Sequence, residues 1–122
     1  MDVATALAQA IADKDSQRLA AVLAPEVDFR GLTPNRSWEA GDAEAVVDIF
    51  FDSWFEPKDE IEELVSVQTG SMADRDWVAY RMRGRNPDGP FLVEQNVFLS
   101  ERDGKIEWMR VLCSGFRPAG PS

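Results

Sequence analysis

The last third of the chain alternates between apolar and polar residues in three runs, which two tight turns separate. The runs are WVAYRMRGR, FLVEQNVFLS and KIEWMRVLCSGF, and the turns NPDG and ERDG each contain Asp-Gly. Alternation with a period of two is typical of strands that bury one face, and Asp-Gly between such runs indicates a hairpin. The pattern predicts a meander of antiparallel strands near 76–84, 91–100 and 105–116.

The first half of the chain has helical spacing instead. Apolar residues four apart predict a first helix over 3–12. A second helix is expected over 16–24, because Pro25 cannot continue it. Asp42 is a suitable N-cap for a third helix over 43–54, which has a broad apolar face. These elements place a helical layer before the sheet.

Two further segments are expected to be strands. The alternating sequence VDFRGL predicts a strand over 27–32, and EIEELVSVQT predicts another over 60–69, although a helix also fits the second segment. We expect one domain over residues 1–116, followed by a flexible tail over 117–122 that is rich in Gly and Pro.

Charge and composition exclude several classes of partner. The chain of 122 residues has 13 Lys and Arg against 22 Asp and Glu, a net charge of −9, which would repel nucleic acid and anionic membranes. No stretch approaches the ~20 apolar residues of a membrane span, and the first residues lack the pattern of a signal peptide. The single cysteine allows no intrachain disulfide. We therefore expect a cytoplasmic protein.

The chain contains no histidine. This removes the commonest general base near neutral pH and the commonest metal ligand, and it rules out Ser-His-Asp and Cys-His mechanisms. The acidic run between residues 56 and 63 lacks the glycine and the spacing of a calcium loop. We therefore expect neither a metal site nor a cofactor.

The order helix, helix, strand, helix and meander resembles that of the nuclear transport factor 2-like (NTF2-like) superfamily, in its SnoaL-like and ketosteroid-isomerase-like branch. The segments that carry the resemblance are AIADKDSQRLAAVLAPEVDF and VEQNVFLSERDGKIEWMRV. The resemblance implies an α+β cone in which three N-terminal helices pack on a curved, mostly antiparallel sheet that encloses a pocket. It also implies a homodimer formed through the outer face of the sheet.

The turn at 102–105 predicts which side chains share a face of the sheet. A tight turn there places Glu94 and Asn96 on the same face as Met109. The resemblance to ketosteroid isomerase turns this face toward the cavity, although a slip of one residue would reverse the assignment. The predicted ligand-binding residues are Trp38, Phe50, Trp54, Trp77, Phe98, Met109, Val111 and Cys113. The predicted dimer face contains Tyr80, Gln95, Trp108 and Arg110.

Arg81 and Glu94 form the best candidate for a polar catalytic pair. Glu94 would act as acid or base, Arg81 would lower its pKa, and Asn96 would orient the substrate. The alternative is a cross-strand ion pair on a wet surface. Cys113 is a candidate nucleophile, with a small buried apolar residue as the alternative.

The sequence departs from the isomerase at both of its key positions. Gly31 stands where the general-base aspartate is expected, and Leu7 stands where the oxyanion-hole tyrosine is expected. Arg81 and Glu94 could supply only two of the three groups that the epoxide-hydrolase branch uses. We therefore predict a protein that binds a small apolar molecule, as a cofactor-free isomerase, lyase or hydrolase. The alternatives are a noncatalytic binder and a structural or accessory homodimer.

Overall fold

The structure is a computed structural model that describes residues 2–119. Its elements in chain order are α1 (Val3–Ala12), α2 (Ser16–Val22), β1 (Leu23–Thr33), β2 (Arg36–Ala40), α3 (Ala43–Asp48), a π-helix (Ile49–Trp54), β3 (Glu60–Met72), β4 (Arg75–Asn86), β5 (Gly89–Arg102), β6 (Lys105–Cys113) and β7 (Arg117–Pro118). The helices pack on a large, curved, open sheet, so the predicted α+β cone is confirmed.

Each α-helix begins at an aspartate that caps it. The Asp2 carboxylate accepts a hydrogen bond from the backbone N–H of Thr5 at 2.7 Å, and Asp42 accepts one from the N–H of Ala45 at 2.7 Å. Asp15 caps α2 in the same way. An aspartate at this position satisfies backbone donors that the helix leaves free. The hydrogen bond from the backbone of Thr5 lowers the pKa of the Asp2 carboxyl group.

The strand order in the sheet is β2-β1-β6-β5-β4-β3, with β7 paired to β5. Strands β1 and β6 are parallel, and the other described pairs are antiparallel. Pairing with β6 begins at Leu23, so α2 ends at Val22, before the proline that was expected to end it. The segment with two interpretations, residues 60–69, is a strand.

The core lies between the helices and the inner face of the sheet. Its largest fully buried side chains include Leu7 of α1, Leu19 of α2, Phe29 of β1, Phe50 of the π-helix and Met109 of β6. On β5 the buried positions are Phe91, Val93, Gln95, Val97 and Leu99. The odd-numbered residues of β5 therefore face the helices.

A β-bulge in β6 reverses the predicted faces of the sheet. Arg102 pairs with Lys105, as expected, but Glu101 pairs with Ile106 and Ser100 pairs with Trp108, which leaves Glu107 without a partner. One extra residue shifts the register by one, and a shift of one moves every later side chain to the opposite face.

Two predictions about these faces are therefore wrong. Glu94, Asn96 and Phe98 do not share a face with Met109, Val111 and Cys113, because Val111 pairs with Val97 and Cys113 pairs with Gln95. Tyr80 and Gln95, which were assigned to the outer face, are buried at 2% and 1% exposure against the helices. Trp108 and Arg110 do lie on the outer side.

Two segments differ from the expected secondary structure. The third predicted helix is α-helical only to Asp48 and continues as the π-helix to Trp54. Arg117 and Pro118, which were expected in a tail, form β7 and pair with Leu92 and Phe91. Residues 120–122 of that predicted tail lie outside the described residues. Among residues 2–119 no helix has the length and hydropathy that a membrane span requires.

Candidate functional site

A cleft of about 450 Å³ opens at the end of the cone where the chain leaves the π-helix. Its walls come from the segment after the π-helix, the hairpin between β4 and β5, and the segment that follows β6. The lining residues include Thr33, Trp38, Trp54, Phe55, Glu56, Lys58, Asp59, Asn86, Asp88, Phe91, Cys113, Phe116 and Arg117. The cleft thus has apolar walls and charged groups of both signs.

Five aromatic side chains line this cleft and contact one another. Phe116 stacks on Phe91 with ring centroids 4.3 Å apart and lies 5.6 Å from the ring of Phe55. On the other side, Trp38 meets Trp54 edge to face at 6.0 Å. These contacts fix the rings, so the apolar surface of the cleft is largely preformed.

Trp54 ends the π-helix and is 7% exposed. Its indole nitrogen is shielded from solvent and has no hydrogen-bond acceptor among the described residues. The indole N–H of Trp38, by contrast, donates to the Thr33 hydroxyl at 3.0 Å. Leaving a buried donor unpaired costs about 1–3 kcal/mol. π-Helical turns are rare and occur frequently at functional sites.

Asp59 is a buried carboxylate in the cleft wall, but its hydrogen bonds are structural. It is 1% exposed and accepts bonds from the backbone N–H of Glu56 and the side-chain amide of Asn86, both at 3.0 Å. The ammonium group of Lys14 donates to the carbonyl oxygens of Glu56 and Asp59, both at 2.7 Å. These bonds join the α1–α2 turn to the segment after the π-helix, so Asp59 holds one wall of the cleft.

Three polar side chains lie together on the inner face of the sheet behind the cleft. The Tyr80 hydroxyl donates a short hydrogen bond to the carbonyl oxygen of the Gln95 side chain. The amide nitrogen of Gln95 has no acceptor among residues 2–119, and Cys113 is its cross-strand partner. Burial raises the pKa of Tyr80 well above its usual range, and the neighbouring Cys113 adds to this shift. Hydrophobic periodicity does not reveal this cluster, because Gln95 occupies an apolar position.

The structure places three of the predicted ligand-binding residues on the cleft, namely Trp38, Trp54 and Cys113. Phe50 and Met109 are fully buried in the core. Trp77 lies on the outer face, where its indole ring covers Gly70. The cleft residues that sequence reasoning did not select, such as Phe91 and Phe116, come from segments that only the folded chain brings together.

The predicted Arg81–Glu94 pair exists, but on the outer face of the sheet. The guanidinium and carboxylate groups are 2.8 Å apart, and both side chains are about half exposed, at 50% and 49%. Neither residue lines the cleft. The geometry is that of a cross-strand ion pair in contact with solvent, which was the alternative to a catalytic pair. Such pairs contribute about 0.2–1 kcal/mol to the stability of the fold.

A second depression, the outer groove, has a volume of about 490 Å³ and lies on the outer side of β1, β2, β5 and β6. Four predicted site residues line it: Trp38, Asn96, Phe98 and Val111. Its other lining residues are Arg30, Gly31, Leu32, Ser37, Glu39, Arg110 and Leu112. Trp38 borders both the cleft and the outer groove, since it appears in both walls. The residues described by the structure form no cluster of acidic or Cys side chains that could hold a metal ion.

Comparison with solved structures identifies the fold. No family model matches the chain, and no curated protein matches it. A protein of ketosteroid isomerase-like fold from Catenulispora acidiphila, solved in complex with trimethylamine, is 16% identical with a TM-score of 0.68, covering 92% of this chain and 85% of that one.

Two further solved structures agree with this. An LEH-like epoxide hydrolase from M. tuberculosis is 10% identical with a TM-score of 0.65, covering 92% of this chain and 80% of that one. AusH from Aspergillus nidulans is 13% identical with a TM-score of 0.69, covering 92% and 81%. The chain has the fold of the NTF2-like superfamily. At these identities the likeness defines the fold and leaves the chemistry to the site.

Proposed function

We propose that the cleft binds a small, largely apolar molecule that carries one oxygen acceptor. The observation that carries this proposal is Trp54, a nearly buried residue of the cleft wall whose indole N–H has no acceptor within residues 2–119. An indole N–H can only donate. A ligand oxygen that reaches it therefore recovers the cost of the unpaired donor, whereas a pure hydrocarbon does not.

The aromatic walls account for the apolar part of the ligand. Phe116 offers ring surface on one side of the cleft, where the buried rings of Phe55 and Phe91 support it, and Trp38 offers it on the other. Apolar pockets with a few placed polar groups are the usual form of small-molecule sites. Trp54 ends a π-helix, a kind of turn that occurs frequently at functional sites.

The geometry favours binding over acid–base catalysis as the first function of the cleft. Asp59 already accepts two hydrogen bonds, and the Glu56 carboxylate lies 3.9 Å from the ammonium group of Lys58. The protein of ketosteroid isomerase-like fold that binds trimethylamine and the LEH-like epoxide hydrolase support a small-molecule site. A cofactor-free isomerase, lyase or hydrolase remains the catalytic form of the proposal. A cytoplasmic location also remains a proposal, which rests on the single cysteine.

The test uses two probes of the same ring skeleton, 1-tetralone and tetralin. The carbonyl group of 1-tetralone is a CH₂ group in tetralin, so only the first probe offers an oxygen acceptor. Calorimetric titration of the protein should give a 1-tetralone affinity about five- to tenfold higher than that of tetralin, because one hydrogen bond contributes about 0.5–1.5 kcal/mol. Trp54→Phe keeps an aromatic ring and removes the N–H, so this ratio should fall below about twofold.

The ratio separates the hydrogen bond from packing, because any change in cavity shape affects both probes alike. Trp38→Phe is the matched control, since the Trp38 N–H already has its partner in Thr33. The proposal is wrong if neither probe binds, or if Trp54→Phe leaves the ratio unchanged.

We also propose a homodimer through the outer face, in which Leu112 and Leu32 would become buried. These side chains are 57% and 54% exposed, and they border the outer groove beside Phe98. Two arginines of this face are paired with carboxylates, in Arg81–Glu94 and Arg110–Asp28. On a chain of net charge −9, such local neutrality makes this face suited to a second copy.

A further inference from the structure

Cys113 is a thiol in the wall of the apolar cleft. It is the last residue of β6, is 8% exposed and lines the cleft together with Trp54 and Phe91. It is also the only cysteine of the chain. A reagent that enters the cleft therefore meets one sulfur atom, and any thiol chemistry of the protein occurs there.

The surroundings of the sulfur provide N–H donors. The backbone N–H of Gly115 donates to Sγ at 3.4 Å. On the neighbouring strand, the Gln95 side chain is 1% exposed, faces the same side as Cys113, and has an amide nitrogen without an acceptor among the described residues. N–H donors stabilise a thiolate, which is the reactive form of cysteine.

A second unpartnered donor lies in the same cleft wall. The Trp54 N–H can pair with a ligand oxygen, and the Cys113 thiol, which lines the same cleft, can react with an electrophilic carbon. An α,β-unsaturated carbonyl compound has both features in one small apolar molecule. Its β-carbon accepts a thiolate, and its carbonyl oxygen takes the negative charge that hydrogen-bond donors stabilise.

We propose that Cys113 captures small apolar α,β-unsaturated carbonyl compounds by conjugate addition inside the cleft, an inference that rests on the proposed ligand site. The sulfur forms a bond to the β-carbon while the electron pair of the C=C π bond moves to give an enolate. The α-carbon then takes up the proton that the thiol gave up. The product is a thioether that contains all the atoms of both reactants, and the addition is neither an oxidation nor a reduction of the pair.

The experiment compares two thiol reagents by intact-protein mass spectrometry, with 2-cyclohexen-1-one as the apolar enone and iodoacetamide as a polar reagent. The rate ratio of enone to iodoacetamide should be at least about tenfold higher for the folded protein than for the chain unfolded in guanidinium, because only the folded cleft binds apolar reagents. An equal ratio in both states, or no enone adduct on the folded protein, overturns the proposal.

Two variants separate this proposal from the reversible site. Cys113→Ser removes the thiol and should form no enone adduct. Gln95→Met keeps the side-chain volume and removes the amide, so it should slow the reaction with both reagents. If 1-tetralone binds to the wild type and no enone adduct forms, the covalent inference fails alone. If 1-tetralone does not bind, the ligand site itself fails.

Discussion

Tyr80 and Gln95 form a polar pair inside an otherwise apolar core. Both are almost fully buried, and the tyrosine hydroxyl donates to the glutamine carbonyl oxygen. A buried polar group is retained at low cost only when it is hydrogen-bonded. The pair therefore fixes the register of β4 on β5, since any other pairing would leave both groups without their partner.

The raised pKa of Tyr80 gives a prediction at alkaline pH. Above the ordinary tyrosine pKa of 10.0 the unfolded chain loses the Tyr80 proton while the folded chain keeps it, so the free energy of unfolding should fall as pH rises through this range. Because Tyr80 is the only tyrosine, tyrosinate absorbance reports on it alone. Absorbance should stay low above pH 10 and rise only with unfolding.

Tyr80→Phe is the control for this titration. It removes the ionisable group, so its unfolding free energy should depend less on pH in the alkaline range than that of the wild type. Free ionisation of Tyr80 at its ordinary pKa in the folded protein would contradict its burial in the core.

At the scale of single residues the sequence was informative about local chemistry. Asp2, Asp15 and Asp42 were predictable as caps, since a cap depends only on residues within one helical turn. The roles of Asp59 and Gln95 were not predictable from the sequence, because their partners Asn86 and Tyr80 are distant along the chain.

At the scale of elements, one bulge decides which side chains face the helices. Glu107 has no partner on β5, and beyond it the inward residues of β6 are Met109, Val111 and Cys113. The hairpins and the Arg81–Glu94 pairing followed from the turn sequences. The bulge could not be predicted from the sequence, because no turn residue indicates it and both faces of β6 carry apolar side chains.

Deleting Glu107 tests this view of β6. The deletion removes the extra residue and makes the pairs Glu101–Ile106 and Ser100–Trp108 adjacent. Met109 and Val111 then keep their inward positions, so the protein should lose less than roughly 2 kcal/mol of its free energy of unfolding. Urea unfolding measures the loss. Glu107→Ala keeps the chain length at an exposed position and should change stability by no more than about 0.5 kcal/mol. A deletion variant that loses more than roughly 4 kcal/mol, or fails to fold, would contradict the bulge, because removing one residue from a regular strand turns every later side chain to the opposite face.

The π-helix is the second element that periodicity did not predict. Residues 43–54 have one apolar face, which fits a continuous α-helix, but the last turn widens at Ile49–Trp54. Trp54 then packs against Phe50 with ring centroids 4.8 Å apart and fills the space above Gly31, where a Cβ atom would lie 2.8 Å from its ring. Gly31, noted in the sequence only as a missing aspartate, thus makes room for the cleft wall.

At the scale of the whole molecule, the order of elements was enough to predict the fold. Three helical segments before a meander permit few arrangements on one sheet, and the observed order of strands is consistent with that reading. The site was only partly predictable. Trp38, Trp54 and Cys113, which were predicted to bind a ligand, lie on the cleft, whereas the choice of Glu94 and Asn96 depended on the register that the bulge changed.

The outer face leads to a prediction about assembly. If Leu112 is buried between two copies, Leu112→Glu should convert a dimer to a monomer in sedimentation velocity, because two added charges would meet at the interface. Met72→Glu is the matched control, since Met72 is 59% exposed at the far turn between β3 and β4. A wild-type protein that sediments as a monomer at all concentrations would contradict the proposed homodimer.

The central claim is that the cleft, and not the outer groove, receives the ligand. The most direct measurement is a map of amide chemical shifts by NMR during titration with 1-tetralone. We predict that the largest changes fall on Phe55, Phe91 and Phe116 around the cleft and on the indole N–H of Trp54. Changes confined to Leu32, Phe98 and Leu112 would place the ligand in the outer groove and contradict the account.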